Sequence, residues 1–76
     1  MKKVIGKRIK EIRLDNKLSQ AEFGALFFVS QDTVSLWELN KRTPIIDDIV
    51  KLANLFNLSI EEMISIEKDA NDKYIL

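Results

Sequence analysis

The chain has 76 residues with no cysteine and no histidine, and it contains only two glycines and one proline. Without cysteine it has neither disulfides nor thiolate metal ligands to hold so small a fold together. The lack of histidine also removes the usual zinc ligand and the usual carrier of catalytic protons. We therefore predict no enzyme, no metal site and no other cofactor, and no small-molecule ligand is evident from the sequence. The shortage of glycine and proline favours helices over turn-rich β structure.

Long apolar runs are missing as well. No stretch approaches the roughly 18 apolar residues of a membrane span, and no apolar signal region follows the lysine-rich start. We therefore expect a cytoplasmic protein without membrane contact. The 46% of hydrophobic and 32% of charged residues are typical of a soluble globular domain, and the length allows one domain.

Charge is balanced in total but segregated along the chain. Residues 1–17 hold seven basic and two acidic side chains, a net charge of +5. Residues 18–60 carry a net charge of −2, and residues 61–76 carry −3. The balanced total argues against a polyanionic partner, whereas the basic first segment can attract one.

The first half of the chain carries signals for three helices. Apolar residues recur at helical spacing over residues 4–16 and predict helix 1. Ser19 and Glu22 form a capping box, which places the start of helix 2 at Gln20. Ser30 is a good N-cap for helix 3, so only about three residues separate helices 2 and 3. The residues predicted to turn inward are Ile5, Ile9, Ile12, Phe23, Phe27, Val34 and Trp37.

Two further helices are predicted in the second half. Asn40 suits the left-handed residue that ends a helix, and Thr43 and Pro44 suit the N-cap and first position of helix 4. Asn57 suits the end of helix 4, and Ser59 opens a second capping box for helix 5. We expect an all-α domain over residues 1–65 and a tail over 66–76 that is either disordered or in contact with a dimer partner. The inward residues are Ile49, Leu52, Ala53, Phe56, Met63 and Ile64.

Two short helices joined by a tight turn are typical of a helix-turn-helix. Five segments from Ile5 to Ile64 resemble, in order, the phage repressor and Cro type of helix-turn-helix protein, also called the XRE type: IGKRIKEIR, LSQAEFGALF, VSQDTVSLWE, KRTP and NLSIEEMI. The resemblance implies a five-helix, lambda-repressor-like domain with the helix-turn-helix at helices 2 and 3. It also implies a sequence-specific transcriptional repressor that binds a palindromic double-stranded DNA operator as a homodimer.

The resemblance assigns DNA contacts to residues in and around helices 2 and 3. Helix 3 would contact base edges in the major groove through Gln31, Asp32, Ser35 and Leu36. Phosphate contacts would come from Gln20, Thr33, Lys41 and Arg42, with electrostatic attraction from Lys17. The other interpretations are a solvated face of helix 3, an exposed first residue of helix 2 at Gln20, and an N3 helix position at Thr33. The resemblance also pairs Arg13 with Glu38 as a structural ion pair.

Some residues depart from the family pattern. Phe28 stands in the turn where the family has glycine, so either the turn is strained or its geometry differs. Asp32, Leu36 and Leu39 are also unusual, and with the neutral total charge they support an alternative function. That alternative is a protein-interaction module of the antirepressor or antitoxin kind, with weak or no DNA binding. A dimer contact is expected from Leu55, Ile60, Ile66, Tyr74, Ile75 and Leu76.

Overall fold

The structure is a computed structural model that describes residues 5–64. Within this range the chain forms five helices and no strand: α1 (Ile5–Asp15), α2 (Gln20–Leu26), α3 (Gln31–Glu38), α4 (Ile46–Leu55) and α5 (Ile60–Ile64). The predicted all-α fold is confirmed. The predicted tail, with the dimer candidates Ile66, Tyr74, Ile75 and Leu76, lies outside the described residues.

One apolar core joins the helices. Helix α1 packs against α3 and α5, α2 packs against α3, and α4 packs against α5. The ring of Phe23 is fully buried and lies 5.0 Å from the ring of Phe27 and 6.0 Å from that of Phe56, measured between centroids. Ile12 and Phe56, which were predicted to turn inward, are only partly buried. The buried apolar residues are Ile5, Ile9, Phe23, Phe27, Val34, Trp37, Ile49, Leu52, Ala53 and Met63.

Both predicted capping boxes are present. The Glu22 amide donates to Ser19 Oγ at 3.0 Å, and the Ser19 amide donates to Glu22 Oε1 at 2.8 Å. The same exchange joins Ser59 and Glu62 at 3.1 and 3.3 Å, and it opens α5. The backbone and side-chain hydrogen bonds from Ser19 lower the pKa of Glu22. These contacts satisfy amides that have no partner inside the helix, so both helices begin where the sequence predicts.

The first four helices end in the same way, each with a left-handed residue that is not glycine. These residues are Lys17, Phe28, Asn40 and Asn57, with φ between 56° and 58°. In each case the next amide returns to a carbonyl five residues earlier, as Val29 does to Gly24 at 3.0 Å. This is the Schellman arrangement, and it satisfies carbonyls at the helix end. The predictions for Asn40 and Asn57 are confirmed.

The predicted start of helix 4 is wrong. Helix α4 begins at Ile46, and its N-cap is Ile45, which makes no side-chain capping bond. Pro44 is buried before the helix rather than placed at its first position. Two carboxylates in the first turn, Asp47 and Asp48, complement the helix dipole and partly compensate for the missing cap.

The link between α2 and α3 is also longer than predicted, because four residues, 27–30, separate the two helices.

Candidate nucleic-acid interface

Helix α3 is fixed on one side and exposed on the other. Val34 and Trp37 are buried, and Trp37 packs edge-on against Phe27 with ring centroids 5.9 Å apart. At the start of α3 the Thr33 amide donates to Ser30 Oγ at 3.2 Å, which confirms Ser30 as the N-cap. The helix is therefore held by the core along one face, and its opposite face is free to meet a partner.

The four candidate base-contact residues lie on this outer side. Gln31 and Asp32 are exposed at the first turn of α3, whereas Ser35 and Leu36 are half-buried one turn later. Residues four apart are neighbours on a helix surface, so Gln31 lies beside Ser35 and Asp32 beside Leu36. The four side chains form one small surface, and its most exposed part carries the polar groups of Gln31 and Asp32.

The candidate phosphate-contact residues surround α3. Gln20 is half-buried at the start of α2, and Lys17 is exposed in the turn before it. Lys41 and Arg42 are exposed just after α3, and their amides return to the Leu36 carbonyl at 2.9 and 3.3 Å. The basic pair is thereby tied by its backbone to the C-terminal end of the helix.

Thr33 holds the N3 position that the sequence offered as one of its two interpretations. Its amide is used by the N-cap, and its hydroxyl lies 3.2 Å from Ser30 Oγ, where either oxygen can donate. The side chain is half-buried. This local role is compatible with an additional phosphate contact, because a hydroxyl both donates and accepts.

The structure brings Arg13 and Glu38 together at the base of the site. Arg13 Nε donates to Glu38 Oε2 at 2.6 Å and Nη2 donates to Oε1 at 3.1 Å, a two-pronged pair. The third nitrogen, Nη1, donates to the Leu18 carbonyl at 3.0 Å. The side chains are only 11% and 5% exposed, and the hydrogen bond to Glu38 raises the pKa of Arg13. The pair thus ties α1 to the end of α3 and to the α1–α2 turn.

Gln20 connects this ion pair to Gln31 on the outer side of α3. The sequence analysis did not predict this connection. Gln20 Nε2 donates to Glu38 Oε1 at 3.2 Å, and Gln31 Nε2 donates to Gln20 Oε1 at 3.5 Å. The partners are 18 and 11 residues apart in the chain. Local spacing carries no signal for such contacts, since they depend on how α2 and α3 cross.

Phe28, in the turn between α2 and α3, is 90% exposed. Its described contact is with Lys51 of α4, whose Nζ lies 4.8 Å from the ring centroid. The turn keeps the left-handed conformation that the family gives to glycine, so Phe28 carries strain and does not alter the turn. Leu39 is 61% exposed and Leu36 is half-buried, so of these two unusual leucines Leu39 offers more apolar surface to a partner.

Residues 5–64 contain no group of three or more acidic, histidine or cysteine side chains that could hold a metal ion. In the same range no helix is long and apolar enough to cross a membrane.

The chain matches the family model described as Helix-turn-helix over residues 9–63. Among solved structures it is similar to a transcriptional regulator from Listeria innocua, with 22% identity and a TM-score of 0.80 over 95% of this chain and 68% of that one. It is also similar to the P22 c2 repressor in complex with synthetic operator 9T in the presence of Tl+, with 27% identity and a TM-score of 0.70 over 78% of this chain and 89% of that one. No curated protein matches significantly.

The family match covers more than half of the chain, so the chain belongs to the helix-turn-helix family. Its described part is a lambda-repressor-like domain with the motif at α2 and α3. The chain is a DNA-binding transcriptional regulator of the XRE and phage-repressor type, as its sequence predicts.

Proposed function

We propose that the chain is a transcriptional repressor that places α3 in the major groove of a double-stranded DNA operator. The observation that carries the proposal is the meeting of Gln20 and Gln31 at the starts of α2 and α3, with Asp32 exposed beside them. The P22 c2 repressor, which is similar to this chain, was solved with an operator DNA. A helix-turn-helix presents the N-terminal residues of its second helix to base edges.

In this proposal each residue of the outer face of α3 has a chemical role. Gln31 binds adenine through its amide, and Asp32 accepts a hydrogen bond from the amino group of cytosine. Leu36 contacts a thymine methyl group, and Ser35 binds whichever base edge it meets. The carboxylate of Asp32 is repelled by the DNA phosphates. A hydrogen bond from a cytosine amino group would compensate for this repulsion, so we propose a cytosine opposite Asp32.

The residues around α3 fix the register on the DNA backbone. The side chains of Gln20 and Thr33 lie at the positive ends of α2 and α3, where a phosphate is favoured. The exposed cations Lys17, Lys41 and Arg42 attract the DNA phosphates whatever the base sequence. Such contacts position the protein and carry no direct information on the base sequence.

The proposal includes a homodimer on a palindromic operator, with two recognition helices about 34 Å apart. Leu55 on α4 supports such a contact, since its side chain is 51% exposed beside a groove of about 370 Å³ between α1 and the α4–α5 turn. Ile60, the other described candidate, is partly buried against the core, so it has less surface to offer. A Leu55→Asp variant should sediment as a monomer if this contact forms the dimer. We also propose that the chain, as an operator-binding protein, acts in the cytoplasm.

The test is a selection of bound duplexes from a random DNA pool. The wild-type protein should yield a palindromic motif, and Gln31→Ala should relax the preference at one symmetric pair of positions, by about 5- to 150-fold in relative affinity. Asn54→Ala, which removes an exposed amide from α4, is the matched control and should keep the motif. A motif that is identical in Gln31→Ala would exclude Gln31 from base contact.

Exposure of Phe28 and Leu39 favours a second candidate, a protein-interaction module of the antirepressor or antitoxin kind. The same selection separates the two functions. If folded wild-type protein yields no motif at low salt, the DNA-binding surface is not used and the module is favoured.

A further inference from the structure

Four side chains form a continuous row of hydrogen bonds from the core to the exposed outer side of α3. We call Arg13, Glu38, Gln20 and Gln31 the relay. Glu38 Oε1 accepts from Arg13 Nη2 at 3.1 Å and from Gln20 Nε2 at 3.2 Å. Gln20 Oε1 then accepts from Gln31 Nε2 at 3.5 Å, the longest of the bonds. The relay begins at a nearly buried ion pair and ends at an exposed amide.

The hydrogen bonds of the relay can be donated in only one direction, from Gln31 to Gln20 and from Gln20 to Glu38. A carboxylate paired with a guanidinium accepts hydrogen bonds and donates none, so Gln20 must turn its Nε2 toward Glu38. Its Oε1 then faces Gln31, and Gln31 must turn its own Nε2 toward Gln20. One N–H group and the Oε1 of Gln31 remain available for a base. With Glu38 only 5% exposed, its carboxylate is held in place and the order is fixed.

We propose that Glu38 is a positioning residue that orients the amide of Gln31 through Gln20 and thereby selects adenine over guanine. This inference rests on the proposed major-groove role of Gln31. Adenine presents an acceptor at N7 and a donor at N6, which match the one N–H group and the Oε1 left on Gln31. Guanine presents two acceptors, N7 and O6, so one of them would face the fixed Oε1. A freely rotating amide could turn both N–H groups toward guanine.

The test is the Glu38→Gln substitution. The new amide can still accept from Arg13, but it can also donate to Gln20, so the order of the relay is lost. Binding is measured to the operator selected by the wild type and to operators with adenine changed to guanine at the position assigned by Gln31→Ala. We expect the preference for adenine to fall about two- to tenfold, the worth of one neutral hydrogen bond, with preferences at other positions unchanged.

Two further variants separate this effect from a loss of fold or charge. Glu11→Gln makes the same change of charge at an exposed residue of α1 and should keep the preference. Gln20→Leu interrupts the relay and leaves the Arg13–Glu38 pair intact, so it should lower the preference even if Glu38→Gln does not fold.

The outcomes distinguish the relay from the proposed function. Folded variants that bind all operators more weakly but keep the wild-type preference for adenine would overturn the relay and leave Glu38 as a structural residue. A wild-type protein that selects no motif would instead overturn the proposed function, and the relay with it.

Discussion

Replacing Arg13 by methionine should leave the carboxylate of Glu38 inside the fold without its cation. The two side chains are 11% and 5% exposed, so water cannot compensate for the missing partner. Removing one member of such a pair costs about 3–5 kcal/mol. Since a small domain is stable by only about 5–15 kcal/mol, this is a large share of the total. The double variant Arg13→Met, Glu38→Leu leaves no charge buried, so we expect it to lose far less than the sum of the two single losses.

Urea unfolding provides the assay, because the one tryptophan of the chain, Trp37, is 3% exposed and reports loss of the core. All proteins are compared at one concentration, since self-association would add stability. We expect a coupling free energy of at least about 2 kcal/mol between the two sites. Arg8→Met, an exposed arginine of α1, is the control and should change stability by less than about 0.5 kcal/mol. Additivity of the two single losses within about 0.5 kcal/mol would refute the reasoning.

Three further predictions concern turns and caps. Phe28→Gly should raise the free energy of unfolding by about 1 kcal/mol, because the residue is 90% exposed with φ at 57°, which costs glycine nothing; a lower urea midpoint would contradict this. Gly24→Ala should destabilise by about 1–3 kcal/mol in the same assay, since its Cβ would lie 2.7 Å from the Val29 carbonyl oxygen. Glu22→Gln should be less stable than wild type near neutral pH. Hydrogen bonds from Ser19 lower the pKa of Glu22 below its ordinary 4.5, so the contribution of its carboxylate is complete above that pH and is lost as pH falls through the lower folded value. Melting temperatures measured from pH 7 to pH 3 should therefore converge, and a constant gap would argue against it.

Helix boundaries were predictable wherever a local feature satisfies the backbone, either a serine side chain at the start or a left-handed residue at the end. Ser19 and Ser59 cap the starts of α2 and α5, and Asn40 and Asn57 end α3 and α4 with a positive φ. Each of these signals acts within five residues, so the local sequence is enough to recognise it. The spacing of apolar residues identified the buried faces for the same reason.

Boundaries set by tertiary packing were not predictable in this way. Thr43 and Pro44 form a good local start signal, yet α4 begins at Ile46, after Pro44 has been buried. Lys17 adopts a left-handed conformation although its type does not favour one. There the Leu18 amide binds the Arg13 carbonyl at 3.0 Å, and the Leu18 carbonyl accepts from the Arg13 side chain. Because Arg13 is itself held by Glu38, 25 residues away, the turn at Lys17 is tied to a contact that local spacing does not reveal.

The candidate site shows the same division. The resemblance supplied the residue types, including the pairing of Arg13 with Glu38, but not the link through Gln20. That link exists because α2 crosses α3 where residues 20, 31 and 38 come within hydrogen-bond distance. Crossing geometry depends on the whole core and leaves no periodic trace in the sequence, so only the structure reveals it.

Charge balance gives the orientation of these amides more weight than it would have in a strongly basic domain. Twelve acidic side chains offset twelve basic ones, and among residues 5–64 the proposal assigns three cations, Lys17, Lys41 and Arg42, to phosphates. Each phosphate contact adds affinity for every DNA sequence and weakens with salt. With few such contacts, non-specific binding is weak, and a larger share of operator affinity must come from base edges. Discrimination at base edges depends on which atom of an amide faces the groove. The buried carboxylate of Glu38, which in our proposal fixes the orientation of the Gln31 amide, therefore acts on the base-edge contacts that supply most of the specificity.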